Sequence, residues 1–307
     1  MSSSFAVNCR YKGISKVRCV NMLNYSRFFL TVSLMISLVV TTPTQAAEQQ
    51  NPPSRSSQFD SDLRYWLSSE KLLTIKDEEQ EISVLFSEYM AAPKRGIIIL
   101  LPGMEQSQLY NNGLSYLHQA LTDDGYDTYT LPVPDLSSNG DLAANIIDAQ
   151  PNEVKSSAIP VLSELALDNY KAALIARFEA LYKTLALRQQ EHIAIVAFGN
   201  SAGLFAEYLA TLPSVRVDAL ITVSAQLANA QRNSHLPASL SLVAPALLDV
   251  FYTFDSPLVL ETIDDRRRWA RRNSKLDYRQ RELFGEQHQP LQHQRLRKEL
   301  TGFLRRL

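Results

Sequence analysis

Gly96-Ile97-Ile98-Ile99-Leu100-Leu101-Pro102-Gly103 restricts the fold more than any other segment of this chain. It is a short, unbroken apolar run closed by Pro and Gly. Such a run reads as a strand buried on both faces of a parallel sheet. The chain downstream alternates helix and strand to supply the covers. A helical segment spans 109–124 and ends at Gly125, a natural residue beyond a helix C-terminus. A strand over 126–131 and a long helix over 165–188 follow. Then come a strand over 192–198, a helix over 201–212 and a strand over 218–224. The remainder reads as strand 247–254, helix 258–272, strand 278–284 and a closing helix over 293–306. Alternation repeated this often demands crossovers, and hence a mainly parallel sheet with helices on both faces. Upstream, residues 82–89 alternate like an antiparallel edge strand and pair with 72–75.

The first 46 residues read as a signal peptide and stand outside the fold. Basic residues up to Arg27 precede the apolar run 28–40, and Thr44-Gln45-Ala46 offers the small residues that a signal peptidase needs. The apolar run falls short of the roughly 20 residues that span a bilayer. Met22 is the natural start of such a signal, because only a short basic stretch then precedes the apolar core. Residues 47–57 read as a flexible leader and 58–307 as a single domain. A polar stretch over 132–159 reads as an insertion at the rim of the sheet. Both cysteines, Cys9 and Cys19, lie in the signal segment. Five of the 31 basic residues and none of the 32 acidic ones lie there too. The remaining chain is mildly acidic, which argues against a general nucleic-acid binder. The expected setting is periplasmic or secreted.

An edge hairpin followed by a parallel run is the ground plan of the α/β-hydrolase fold, and the sequence carries that fold's motif in context. Gly199-Asn200-Ser201-Ala202-Gly203 matches G-x-S-x-G between a buried strand and a helix. The turn needs small residues at Gly199 and Gly203, since side chains there would collide. Ser201 is the candidate nucleophile. The acid and the base follow in the order this fold uses. Asp255 closes the strand 247–254 and is positioned to orient an imidazole. His288 lies in the loop after the last strand, and His293 is the alternative base. The amide of Ala202 and that of Met104, after Leu101-Pro102-Gly103, are the candidate oxyanion donors. No metal-binding or dinucleotide-binding motif appears, so neither metal nor cofactor is expected. Arg266-Arg267-Arg268-Trp269-Ala270-Arg271-Arg272 reads as a solvated basic helix face, with peripheral envelope contact as the alternative, and Trp269 packs inward from it.

Several of these segments together resemble a bacterial α/β-hydrolase-like family, domain of unknown function 3530. They are Lys94-Arg95-Gly96 leading to Leu101-Pro102-Gly103, the turn around Ser201, Leu248-Asp249-Val250 leading to Asp255, and Tyr278-Arg279-Gln280 with Gly285 and His288. The resemblance implies the hydrolase fold and an exported setting, with an elbow that varies between members. Two functions stay open. One is a serine esterase acting on a small-molecule or lipid ester through Ser201, His288 and Asp255. The other is a non-catalytic envelope binding protein on the same scaffold.

Overall fold

The computed structural model describes residues 54–77, 80–104, 106, 113–136, 161–186, 192–211 and 215–307. The signal segment with Met22, the leader as far as Pro53 and residues 137–159 of the rim insertion lie outside the described residues. The leader expected to run to Ser57 instead gives way to a helix. Ser54 caps α1 (Arg55–Trp66) by accepting a hydrogen bond from the Ser57 amide at 3.1 Å, which satisfies one of the otherwise orphaned first-turn N–H groups.

Eight strands form one sheet. The strands are β1 (Leu72–Asp77), β2 (Gln80–Ser87), β3 (Gly96–Leu101), β4 (Tyr126–Thr130), β5 (Ile193–Phe198), β6 (Ala219–Val223), β7 (Ala246–Tyr252) and β8 (Tyr278–Leu283). Their order across the sheet is β1-β2-β4-β3-β5-β6-β7-β8. β1 and β2 pair antiparallel and β2 meets β4 antiparallel, while every pairing from β4 to β8 is parallel. This is the arrangement read from the apolar run 96–101, whose six residues are all buried as β3 at the heart of the sheet.

The period of two divides each central strand between two cores. Ile97, Ile99 and Leu101 face α3 (Glu164–Ala186), α4 (Gly199–Thr211) and α5 (Ala230–Leu242). Ile98 and Leu100 face α2 (Gly113–Asp123) and α8 (Pro290–Leu304). α5 has no counterpart in the sequence reading. Pro237 inside it obscures the helical pattern, although Asn229 caps it by accepting from the Arg232 amide at 3.0 Å.

The helix expected over 258–272 is two helices, α6 (Pro257–Leu260) and α7 (Ile263–Arg272). The break lies at Glu261 and Thr262, where the Thr262 hydroxyl turns back to the Val259 carbonyl at 3.0 Å. The basic run does not lie on one solvated face. Arg266 is completely buried and donates to Asp249 Oδ1 at 3.0 Å, to the Ala225 carbonyl at 2.6 Å and to Thr262. Asp249 also accepts from Thr222, Tyr278 and Gln280. A buried charge needs this degree of satisfaction, and the set locks α7 to β6, β7 and β8. Burial and the Asp249 carboxylate hold the Tyr278 phenol above its ordinary range, so it stays a donor. Trp269 is half-buried beneath the Arg272 guanidinium, which lies 4.9 Å from its ring.

Candidate functional site

The crossover rules gather the ends of the parallel strands at one edge of the sheet, and a ligand site in an open α/β sheet lies there. The described residues at that edge are the turn after β3, residues 131–136 after β4, the elbow after β5, the residues after β6, and the loops after β7 and β8.

The elbow is shaped by Gly199. β5 ends at Phe198 and α4 begins at Gly199, whose φ is +54°. An L side chain at that φ crowds its own carbonyl, so glycine takes it at least cost. The strained residue of a nucleophile elbow is the nucleophile itself. In this turn that position belongs to Gly199, and Ser201 lies two residues further along, in the first turn of the helix. No described atom lies within 4 Å of where a Cβ on Gly199 would stand. Among the described residues outside the turn itself, nothing therefore crowds the position that a side chain on Gly199 would take.

Ser201 faces inward. It is 0 % exposed, and its Oγ lies 2.9 Å from the hydroxyl of Tyr170, itself buried in α3. Burial holds the Tyr170 phenol well above its ordinary range, so it remains protonated and needs an acceptor. Neither His288 nor His293 is a hydrogen-bond partner of Ser201. Gly203 does the packing work foreseen for it. A Cβ there would stand 2.5 Å from the Gln226 carbonyl oxygen and 2.8 Å from Leu227 Cδ2, so only glycine lets α4 approach the β6–α5 loop. Ala202 is wholly buried in the helix.

Asp255 sits after β7, as expected, but its carboxylate is committed elsewhere. Oδ2 accepts from Ser224 Oγ at 2.5 Å and from the Tyr252 amide at 3.1 Å, and Oδ1 accepts from the Ser256 amide at 3.0 Å. Ser224 follows β6 with φ +52°, and its bond to Asp255 helps hold that strained residue. The Ser256 hydroxyl in turn donates to Gln226 Oε1. Asp255 thus ties the ends of β6 and β7 to the start of α6. No histidine belongs to this group.

His288 is exposed in the turn after β8. His293 is buried at 7 % exposure in the first turn of α8, against Gly113 and Tyr116 of α2. Its Nε2 has no hydrogen-bond partner among the described residues. Its bond to the Gln287 backbone therefore runs through Nδ1. Burial lowers its pKa, as does the neighbouring His288, while the Gln287 bond opposes them. His293 is thus a neutral imidazole with a free lone pair, the better prepared of the two histidines. Met104 is buried in the turn after β3, where the Gly103 amide donates to Gln106 Oε1 at 3.0 Å.

The structure thus keeps the predicted residues at their strand ends without joining them into a hydrogen-bonded triad. What the sequence reading missed is Gly199 as the elbow residue. Ala197-Phe198-Gly199-Asn200-Ser201 obeys the same rule of small residues two before and two after the centre. Two registers therefore satisfied the motif, and the end of β5 chooses between them.

A second polar group lies away from this edge. Ser87 Oγ is 2.9 Å from His118 Nε2, and His118 Nδ1 is 2.8 Å from Thr130 Oγ1. Ser87 and His118 line a cavity of about 1000 Å³ together with Lys71, Tyr116 and Arg297. None of the elbow or Asp255 residues lines it. Burial, with a smaller contribution from the Lys71 charge, pushes His118 down to about 4. Among the described residues no group of three or more His, Cys, Asp or Glu side chains converges as a metal site would require.

Comparison with known proteins places this architecture. The sequence matches the family described as "Protein of unknown function (DUF3530)" over residues 26–306. No match is found among curated proteins. Similar solved structures include a dienelactone hydrolase from Anabaena variabilis, at 14 % identity and TM-score 0.54, covering 76 % of this chain and 96 % of that one. An alpha-beta serine hydrolase homologue from Coxiella burnetii is similar at 15 % identity and TM-score 0.53, covering 79 % and 99 %. The esterase domain of a Rhodothermus marinus protein aligns at 12 % identity and TM-score 0.52, covering 77 % and 98 %. Likeness at such identities carries the fold, and the chain has the α/β-hydrolase fold.

Proposed function

We propose that this chain, which belongs to the DUF3530 family, is an exported, non-catalytic binding protein on an α/β-hydrolase scaffold. Its ligand, a small-molecule or lipid ester, sits at the sheet edge above Gly199. The observation that carries this reading is the left-handed glycine at the elbow, where a hydrolase needs its nucleophile. Glycine at that position offers a ligand no side-chain nucleophile, and no described atom outside the turn crowds the place of its missing Cβ. The burial of Ser201 against Tyr170 supports the same reading, as does the engagement of Asp255 with Ser224. Export is supported by the apolar run 28–40 and the small residues before position 47.

The esterase reading retains one favourable observation, the free Nε2 of His293 in the segment where the fold carries its base. Two measurements separate the readings. A fluorophosphonate–biotin probe is expected to leave the full chain unlabelled. 4-Nitrophenyl octanoate is expected to raise the unfolding temperature in a saturable way and to be recovered intact. Labelling or ester turnover that disappears in Ser201→Ala overturns the proposal.

A further inference from the structure

We infer that the C-terminal half of α7 and the turn after it form a docking surface for an anionic phospholipid bilayer. Of the five arginines in the run 266–272, Arg266 is buried with Asp249, and Arg268 pairs with Asp265. Arg267, Arg271 and Arg272 are exposed and have no carboxylate partner among the described residues, and Arg272 lies over Trp269. The acids of the helix, Asp264 and Asp265, sit in its first turn, so the positive charge gathers at the other end.

The chain then turns through Asn273, Ser274 at φ +51°, Lys275 and Leu276 into β8. Leu276 is 97 % exposed. The turn that presents it is pinned to the body. Lys275 spends its ammonium on the Val243 and Pro245 carbonyls, both at 2.9 Å, and on Asp277 at 3.0 Å. Its amide donates to the Ala270 carbonyl, and Asn273 donates to Ser241 Oγ. A leucine held outward this firmly loses little conformational freedom when it enters another phase. Leu242, beside Val243 at the end of α5, is a second exposed leucine next to the same anchor. A groove of about 420 Å³ runs between Arg267, Arg271, Ser274 and Leu276, with room for a lipid headgroup between cation and leucine.

The combination selects a bilayer over other polyanions. Cations rimming an exposed aliphatic tip suit an interface with anionic headgroups outside and acyl chains within. A nucleic acid has no use for Leu276, and Arg272 already occupies a face of the Trp269 ring on which a base would stack. The surface lies at the start of β8, at the sheet edge opposite Gly199. A docked molecule therefore turns its candidate site away from the bilayer.

The test is cosedimentation of the full chain with vesicles of 30 % phosphatidylglycerol in phosphatidylcholine and with pure phosphatidylcholine vesicles. The readout is the ratio of the two partition coefficients, and its change in the variants separates this surface from the five basic residues of segment 1–46. At low salt the wild-type ratio is expected to exceed tenfold and to collapse toward one at 0.5 M salt. Arg267→Gln with Arg271→Gln is expected to lower partition to the anionic vesicles roughly 25-fold, at roughly fivefold per arginine. Leu276→Ser is expected to weaken it several-fold, while Arg64→Gln on α1 leaves it within twofold. A wild-type ratio near one overturns the proposal, as does a ratio unmoved by the double variant. Equal retention on a duplex DNA fragment, lost in the double variant but unaffected by Leu276→Ser, assigns the surface to nucleic acid and also overturns it.

Discussion

Ser201→Ala separates a structural serine from a catalytic one by the sign of its effect on stability. A nucleophile is exposed and held at a strained position, so its removal leaves stability unchanged or raises it. Here the hydroxyl is fully buried 2.9 Å from Tyr170. Its loss orphans a buried phenol that burial keeps protonated. An unsatisfied buried donor costs about 1–3 kcal/mol. With a urea dependence of roughly 2 kcal/mol per molar, the unfolding midpoint falls by roughly 0.5–1.5 M. Tyr170→Phe removes the other partner and is expected to destabilise for the same reason, with the Ser201 hydroxyl now orphaned. The double variant removes both polar atoms at once, which is close to neutral when shapes are kept. It is therefore expected to fall short of the sum of the singles by about 1–2 kcal/mol. The assay is urea unfolding followed by circular dichroism at pH 7 on all four proteins. An unchanged or raised midpoint for Ser201→Ala, or strict additivity in the double variant, would refute the reasoning.

Arg266→Met strands the Asp249 carboxylate inside the protein and is expected to destabilise by about 3–5 kcal/mol, read in the same urea assay. For His118, the folded pKa of about 4 lies below the ordinary 6.5, so the unfolded chain binds a proton that the folded chain refuses. Its contribution is present above pH 6.5 and is lost as pH falls from 6.5 to about 4, by about 3 kcal/mol in all. His118→Gln is expected to flatten the dependence of the unfolding midpoint over that window, and an unaltered slope would exclude His118 as its source.

The fold was legible because its cause is local. A strand covered on both faces must be apolar throughout, and residues 96–101 are; their alternation with helices downstream calls for a parallel sheet with helical covers. α5 escaped because Pro237 interrupts its pattern, and packing against α4 and α7 together with the Asn229 cap makes it a helix. The division of 258–272 into two helices was hidden for a similar reason, since Thr262 breaks the helix through a side-chain bond that composition does not reveal.

At the candidate site the sequence by itself determined the turn and the small residues that permit it. It left the register open, because glycine, serine and alanine all satisfy a rule about size. Only the tertiary structure decided that β5 reaches Phe198, so that the left-handed conformation falls on Gly199 and Ser201 turns inward to Tyr170. The same holds for the basic run. Five arginines in seven residues look alike in sequence, but a helix presents them at 100° intervals. One of them, Arg266, therefore had to enter the core, where Asp249 was waiting.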